Sequence, residues 1–279
     1  MLRQPLKVAL VQLKVGADKA ANLAHAKAKV SEAASHGAKL VVLPECWNSP
    51  YAVTAFPEYA EEVPTGETSE FLADLAKSTG VFLIGGSIPE KDGDKYYNTS
   101  VSYSPSGQLL GKHRKIHLFD IDVPGKIRFK ESDILSPGNT ETLIDLEGYG
   151  KVGLGICYDI RFPELAARAA RRGAFAMIYP GAFNTTTGPL HWQLLARSRA
   201  VDNQVFVLVD SPARDMSSSY HAYGHSQAVD PWGAVLTEAA EDECIVYATL
   251  DPAAIADVRQ SIPVSSQRRF DVYPDVSKK

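Results

Sequence analysis

The stretch Val41-Val-Leu-Pro-Glu-Cys-Trp-Asn48 comes back in the second half of the chain as Met177-Ile-Tyr-Pro-Gly-Ala-Phe-Asn184. Each is a short apolar run closed by proline, which reads as a buried strand. Three more pairs follow in the same order. Lys7-Val-Ala-Leu-Val-Gln-Leu13 matches Lys151-Val-Gly-Leu-Gly-Ile-Cys157, and Gly80-Val-Phe-Leu-Ile-Gly85 matches Gln204-Val-Phe-Val-Leu-Val209. Tyr103-Ser-Pro-Ser-Gly-Gln-Leu-Leu110 matches Val229-Asp-Pro-Trp-Gly-Ala-Val-Leu236. Between the runs, Leu23, Ala26, Val30 and Ala33 keep helical spacing up to a stop at Gly37, and Phe71, Leu72, Leu75 and Ala76 do so up to Gly80. Asn98–Tyr103, the turn Ser104–Gly107 and Gln108–His113 read as a hairpin.

Both halves therefore run strand, helix, strand, helix, strand, hairpin. Two sheets, each with helices on one face, can bury their other faces against one another. The expected fold class is α/β, a four-layer αββα sandwich with two pseudo-symmetric halves. A single domain is expected over residues 1–279, with a core from about residue 5 to 258 and a tail from 259 to 279. Phe119 to Thr140 shows no clear periodicity and is expected to be a long functional loop. The polar, proline-containing tail is expected to fray or to dock on a partner subunit.

Composition narrows the function. The 279 residues are 45% hydrophobic and 22% charged, with a net charge of −4, which excludes disordered and fibrous classes. The absence of a basic block argues against a nucleic-acid surface. Three cysteines, Cys46, Cys157 and Cys244, with no C-x-x-C spacing, argue against a disulfide framework and a cysteine zinc site. The longest apolar runs are too short for a bilayer, so no membrane partner is expected. The first strand begins within a few residues of Met1, and a cytoplasmic location is expected.

Cys157 closes a strand shortly before a helix punctuated by Pro163, Glu164, Arg171, Arg172 and Gly173. A thiol there feels the positive helix end, which favours thiolate, and the N–H groups that follow can face an oxyanion. A buried structural cysteine is the alternative. Glu45 ends a buried strand, where poor solvation raises a carboxyl toward general-base range; a capping role is the alternative. Lys115, in Lys112-His-Arg-Lys-Ile-His117, can stabilise an oxyanion as a point charge or can belong to a solvated face. His113 and His117 have metal-like i, i+4 spacing but lie on a strand end without a zincin glutamate, so no metal and no cofactor are expected. Gly153-Leu-Gly155 fails as a dinucleotide fingerprint because Tyr158 replaces the third glycine. Gly224-His-Ser-Gln-Ala228 lacks the helix of a serine elbow.

Three motifs, one around each of these residues, resemble the nitrilase superfamily of carbon–nitrogen hydrolases: Leu43-Pro-Glu-Cys-Trp-Asn-Ser-Pro50, His113-Arg-Lys-Ile-His-Leu-Phe-Asp120 and Gly153-Leu-Gly-Ile-Cys-Tyr-Asp-Ile-Arg-Phe-Pro-Glu164. The resemblance spans nearly the whole chain. It implies a Glu45–Lys115–Cys157 triad of base, oxyanion holder and nucleophile, a second glutamate at Glu131, and an oxyanion donor at the Tyr158 backbone N–H. It also implies the αββα fold and a homodimer formed through outer helices. The segments Tyr179–Trp192 and Ser198–Gln204 look most like those of omega-amidases, which hydrolyse the terminal amide of 2-oxoglutaramate and 2-oxosuccinamate. Arg161 would grip the substrate carboxylate bidentately, with Phe183, Thr187 and Tyr51 lining the pocket; pairing of Arg161 with a nearby Asp or Glu is the alternative. A deaminated-glutathione amidase of the same superfamily is the competing activity, and a catalytically silent scaffold is the competing class.

Overall fold

The structure is a computed structural model that describes residues 1–125 and 127–273. The apolar runs become strands and the 3.6-period segments become helices. In chain order these are β1 (Leu6–Gln12), α1 (Lys19–Ser35), β2 (Leu40–Val42), α2 (Phe56–Tyr59), α3 (Glu67–Thr79), β3 (Phe82–Ile84), β4 (Ile88–Asp92), β5 (Lys95–Tyr103) and β6 (Leu109–Arg114). There follow β7 (Asp120–Val123), β8 (Ile127–Lys130), β9 (Thr142–Leu146), β10 (Gly150–Leu154), α4 (Pro163–Arg171), β11 (Ala174–Pro180), α5 (Gly188–Asn203) and β12 (Phe206–Asp210). The chain continues with β13 (Gln227–Val229), β14 (Val235–Glu238), β15 (Cys244–Leu250), α6 (Pro252–Ser261) and α7 (Val264–Gln267). The helix ends have local causes. The Asp18 side chain accepts from Ala21 N–H to open α1. Gly80, at φ 67°, turns its N–H onto Ala76 C=O to close α3.

Two sheets form. One has the order β15-β1-β2-β3-β5-β4 with β6 on β5, and the other has the order β14-β13-β12-β11-β10-β9. Strands β1, β2 and β3 are parallel, as are β10, β11 and β12, and each trio is extended by antiparallel strands on both sides. The duplication in the sequence is thus a duplication of topology.

The core divides into three layers of contact. Leu6, Val8, Leu10, Leu40 and Val42 of the first sheet meet Val152, Leu154, Ile178, Phe206 and Leu208 of the second. Val30, Ala33, Leu72 and Leu75 of α1 and α3 cover the first sheet's other face. Ala166, Ala169, Trp192 and Ala196 of α4 and α5 cover the second's. Helix, sheet, sheet, helix is the expected four-layer sandwich.

Two expectations are corrected. Phe119–Thr140 is not structureless: β7 and β8 pair antiparallel from Asp120↔Lys130 to Val123↔Ile127, and a 3₁₀ turn, Glu131–Asp133, follows. Alternation of Ile121, Val123, Ile127 and Phe129 with charged residues across Pro124-Gly125 is the signal that identifies this hairpin. The second correction concerns Cys157, which does not end a strand. β10 stops at Leu154, and Cys157 opens a 3₁₀ helix, Cys157–Arg161, well before α4 begins at Pro163. The described part of the tail docks on its own chain: Arg268 donates to Asp202 C=O, and the Arg171 guanidinium lies 3.9 Å from the Phe270 ring centre.

Candidate active site

Glu45 follows β2, Lys115 follows β6 and Cys157 follows β10, so three chain ends converge on the seam between the sheets. The C-terminal ends of parallel strands are where open α/β folds gather ligands. All three side chains are buried.

Lys115 Nζ sits 2.9 Å from Glu45 Oε1 and 2.9 Å from Glu131 Oε1. Both carboxylates take further hydrogen bonds. Asn98 donates to Glu45 Oε1 at 2.8 Å, and Ala182 N–H donates to Glu45 Oε2 at 2.8 Å. Phe119 N–H donates to Glu131 Oε2 at 2.8 Å, and the Tyr51 hydroxyl donates to Glu131 Oε1 at 3.1 Å. The β7–β8 hairpin thus folds back to set Glu131 against Lys115. Gly86 permits the entry of the Glu45 segment, since a Cβ there would stand 2.1 Å from Pro44 C=O, and its φ is 61°.

Burial opposes charge on Lys115, but Glu131 and Glu45 outweigh it and hold the ammonium well above the usual lysine range. Burial raises the Glu45 carboxyl, Lys115 pulls it down, Glu131 pushes it up, and the net direction is upward. Glu45 and the Cys157 thiol lie close enough to act on one another's titration. Burial, reinforced by Glu45, pushes that thiol well up, against the pull of Lys115 and Ala182 N–H. Cys157 opens the 3₁₀ turn and stands six residues before α4 begins at Pro163, so the α4 helix end expected to favour a thiolate is not the one that holds it. The Cys157 backbone has φ 48°, the left-handed region that non-glycine residues rarely adopt. The first bond of the 3₁₀ turn runs from Asp159 N–H to Ile156 C=O, which leaves Tyr158 N–H without an acceptor inside the turn.

Arg161 closes the same 3₁₀ turn. Its guanidinium lies 4.8 Å from the Phe183 ring centre and 5.6 Å from that of Tyr158, and Nη1 is 3.2 Å from His191 Nδ1. The charged groups acting on it are Cys157 and Tyr158, not a carboxylate. Phe183 is buried against Trp192 at 4.9 Å. Tyr51 lies in an aromatic wall, 4.4 Å from Tyr220 and 5.6 Å from Phe129. Thr187 stands apart from the converging groups: its N–H and hydroxyl both turn to Asn184 Oδ1 at the start of α5.

Sequence reasoning missed Tyr220 and Asp159. Tyr220 follows an exposed run, Met216–Ser219, and its hydroxyl donates to Ala182 C=O beside Glu45. A serine-rich loop gave no signal of this. A cavity of about 390 Å³ opens beside Glu45, lined by Tyr51, Ala182, Asp215 and Tyr220 among others. His113 and His117 both turn to Asp159.

A buried cysteine near a glutamate, with a lysine clamped between that glutamate and a second one, is equipment for acyl transfer. The chain belongs to the carbon–nitrogen hydrolase family, whose description matches residues 7–260. It is 57% identical over 267 residues to the omega-amidase NIT2 of Danio rerio, covering 96% of each chain. It is 56% identical to the omega-amidase NIT3 of Saccharomyces cerevisiae, covering 99% of this chain and 98% of that one. The crystal structure of Saccharomyces cerevisiae Nit3 superposes with a TM-score of 0.90 at 53% identity, covering 96% of this chain and 98% of that one.

Proposed function

We propose that this chain is a cysteine-dependent omega-amidase that hydrolyses the terminal amide of small 2-oxo acid amides, 2-oxoglutaramate and 2-oxosuccinamate, through a thioester. Lys115 clamped by Glu45 and Glu131 beside the Cys157 thiol is the observation that carries the chemistry. Similarity to two omega-amidases supports the substrate class.

Glu45 takes the Cys157 proton as the sulfur attacks the amide carbon. Lys115 and Tyr158 N–H hold the oxyanion. Glu45 then passes the proton to the amide nitrogen, the carbon–nitrogen bond breaks and ammonia leaves. Water attacks the thioester carbon, giving its proton to Glu45, which returns it to the departing sulfur. Glu131 keeps Lys115 in place and charged. Arg161, half-buried and paired with no carboxylate among the described residues, receives the substrate carboxylate, while Phe183 and Tyr51 wall the pocket. No cofactor or metal enters any step.

The enzyme acts as one hydrolase domain, as a cytoplasmic homodimer. Among the described residues no helix is long and apolar enough to cross a membrane. The outer face of α5 exposes Leu190, Leu194 and Val201, and the neighbouring hairpin exposes Trp232 and Leu236, a patch suited to a twin.

The test is ammonia release from 2-oxoglutaramate, 2-oxosuccinamate and deaminated glutathione by the wild type and Cys157→Ala. Turnover of the first two that vanishes in Cys157→Ala is expected. Ammonia release by Cys157→Ala at the wild-type rate would sink the mechanism, and turnover of deaminated glutathione alone would move the substrate.

A further inference from the structure

Asp159 lies two residues beyond Cys157, is fully buried and carries four contacts that span the two sheets. Its Oδ2 accepts from Ile156 N–H at 2.9 Å and meets His113 Nε2 at 3.3 Å. Its Oδ1 accepts from His117 N–H at 2.9 Å and meets His117 Nδ1 at 2.8 Å. His113 and His117 stand two residues before and two residues after Lys115. One carboxylate on the nucleophile's own turn therefore grips the lysine segment on both sides. His113 is fixed from behind by Thr142 Oγ1 at 3.0 Å, and His117 by the Phe162 ring, stacked at 3.6 Å. The two histidines hold this carboxyl far below the usual carboxylate range, so it is an anion throughout the working pH range.

We propose that Asp159 is a positioning residue that, through His113 and His117, fixes where the Lys115 ammonium stands relative to the Cys157 sulfur. It touches neither substrate nor reacting atoms. The proposal rests on the roles given above to Lys115 and Cys157. A carboxylate that merely stabilised the fold would need no partners on both flanks of one lysine. Displacing Lys115 removes a cation from the sulfur's surroundings, which otherwise hold Glu45, Glu131, Tyr51, Tyr220 and Arg161.

The experiment compares Asp159→Asn, His117→Leu and His117→Asn with the wild type. Asparagine places an N–H donor near the position of His117 Nδ1 and leucine does not. Three readouts are taken on each: kcat and KM for the amide, the pH profile of Cys157 alkylation by iodoacetamide, and Tm. The expected result is a kcat lowered about 100-fold in Asp159→Asn and about 10-fold in His117→Leu, with KM within about threefold. The alkylation profile moves about one pH unit upward in both, while His117→Asn stays near the wild type. An unmoved alkylation profile in Asp159→Asn and His117→Leu overturns the proposal, as does a His117→Asn no better than His117→Leu. If Asp159→Asn fails to fold, the His117 pair decides. The alkylation readout needs no amide: a shifted profile in an enzyme that turns over none of the amides would keep the positioning role and defeat the functional assignment instead.

Discussion

Replacing Lys115 with methionine keeps the stem and removes the charge between two buried carboxylates. At an effective dielectric constant of about 20, each 2.9 Å contact is worth about 6 kcal/mol before the cost of burying the ions is set against it. Breaking a buried pair by deleting one partner costs about 3–5 kcal/mol net, which for a chain of this length lowers Tm by about 6–10 °C at pH 8. The pH dependence has a definite sign. Lys115 has its folded pKa raised, so its contribution is full below about pH 10.4 and does not vary between pH 5 and 8. Without it, the buried Glu45 carboxyl, already raised, loses the cation that pulls it down, so its folded pKa lies above the unfolded value near 4.3. Its contribution to stability is then greatest below that value and is lost as pH rises. The Tm deficit against the wild type should therefore be small at pH 5 and largest at pH 8, and adding Glu131→Gln should restore part of it. Activity should not return: losing an oxyanion donor costs about 10²–10³ in kcat, and a base kept protonated costs more. Calorimetry from pH 5 to 8 with ammonia-release kinetics measures both. A deficit equal at pH 5 and pH 8, or a kcat loss below about tenfold, would refute the placement of Lys115 as both clamp and oxyanion holder.

Three further outcomes are expected. Arg161→Met should raise KM for the anionic amide about 10–100-fold, the range of a lost charge-assisted hydrogen bond; steady-state kinetics showing an equal loss for a neutral amide would contradict carboxylate binding. Asp210 is fully buried, and burial pushes its carboxyl well up against the pull of Ser226 and the Val11 and Ser211 N–H groups. A raised folded pKa means stability is full below the unfolded value near 3.9 and lost as pH rises toward the folded one. Asp210→Asn should therefore gain about 2 kcal/mol at pH 8 and nothing near pH 4 in urea titrations. If the exposed α5 face is the proposed dimer interface, Leu194→Asp should shift sedimentation velocity from dimer to monomer, and a wild type that sediments as a monomer refutes that interface.

The sandwich was legible because each strand carries its own pattern. The Val41–Asn48 and Met177–Asn184 echo is a local property of sequence, and the structure repeats it as parallel trios. Glu45 and Lys115 were legible as residues just past strand ends, and Cys157 as one between a strand and a helix. The β7–β8 hairpin was missed because proline, glycine and charged residues masked a period-two run. Asp159 and Tyr220 were invisible for another reason. Their roles depend on partners distant in sequence, His113 and His117 for one and Ala182 for the other, and nothing in a local pattern marks such a pairing. The position of Cys157 relative to α4 was misjudged because a strand and a following helix can be read from spacing, while the 3₁₀ turn inserted between them cannot.

The seam between the two halves divides the proposed work unevenly. Glu45, Lys115 and Glu131, the groups proposed to move protons and hold charge, come from the chain before β9. Cys157, Arg161, Phe183 and Tyr220, proposed to touch or enclose the acyl group, come from the chain after it, and Tyr51 of the first half packs against Tyr220 in the same wall. The repeat strand end that matches Glu45 carries Gly181, and its neighbour Ala182 lends an amide to Glu45 at 2.8 Å. On these roles a new acyl group is met by changes on both sides of the seam, while the proton chemistry stays with the first half.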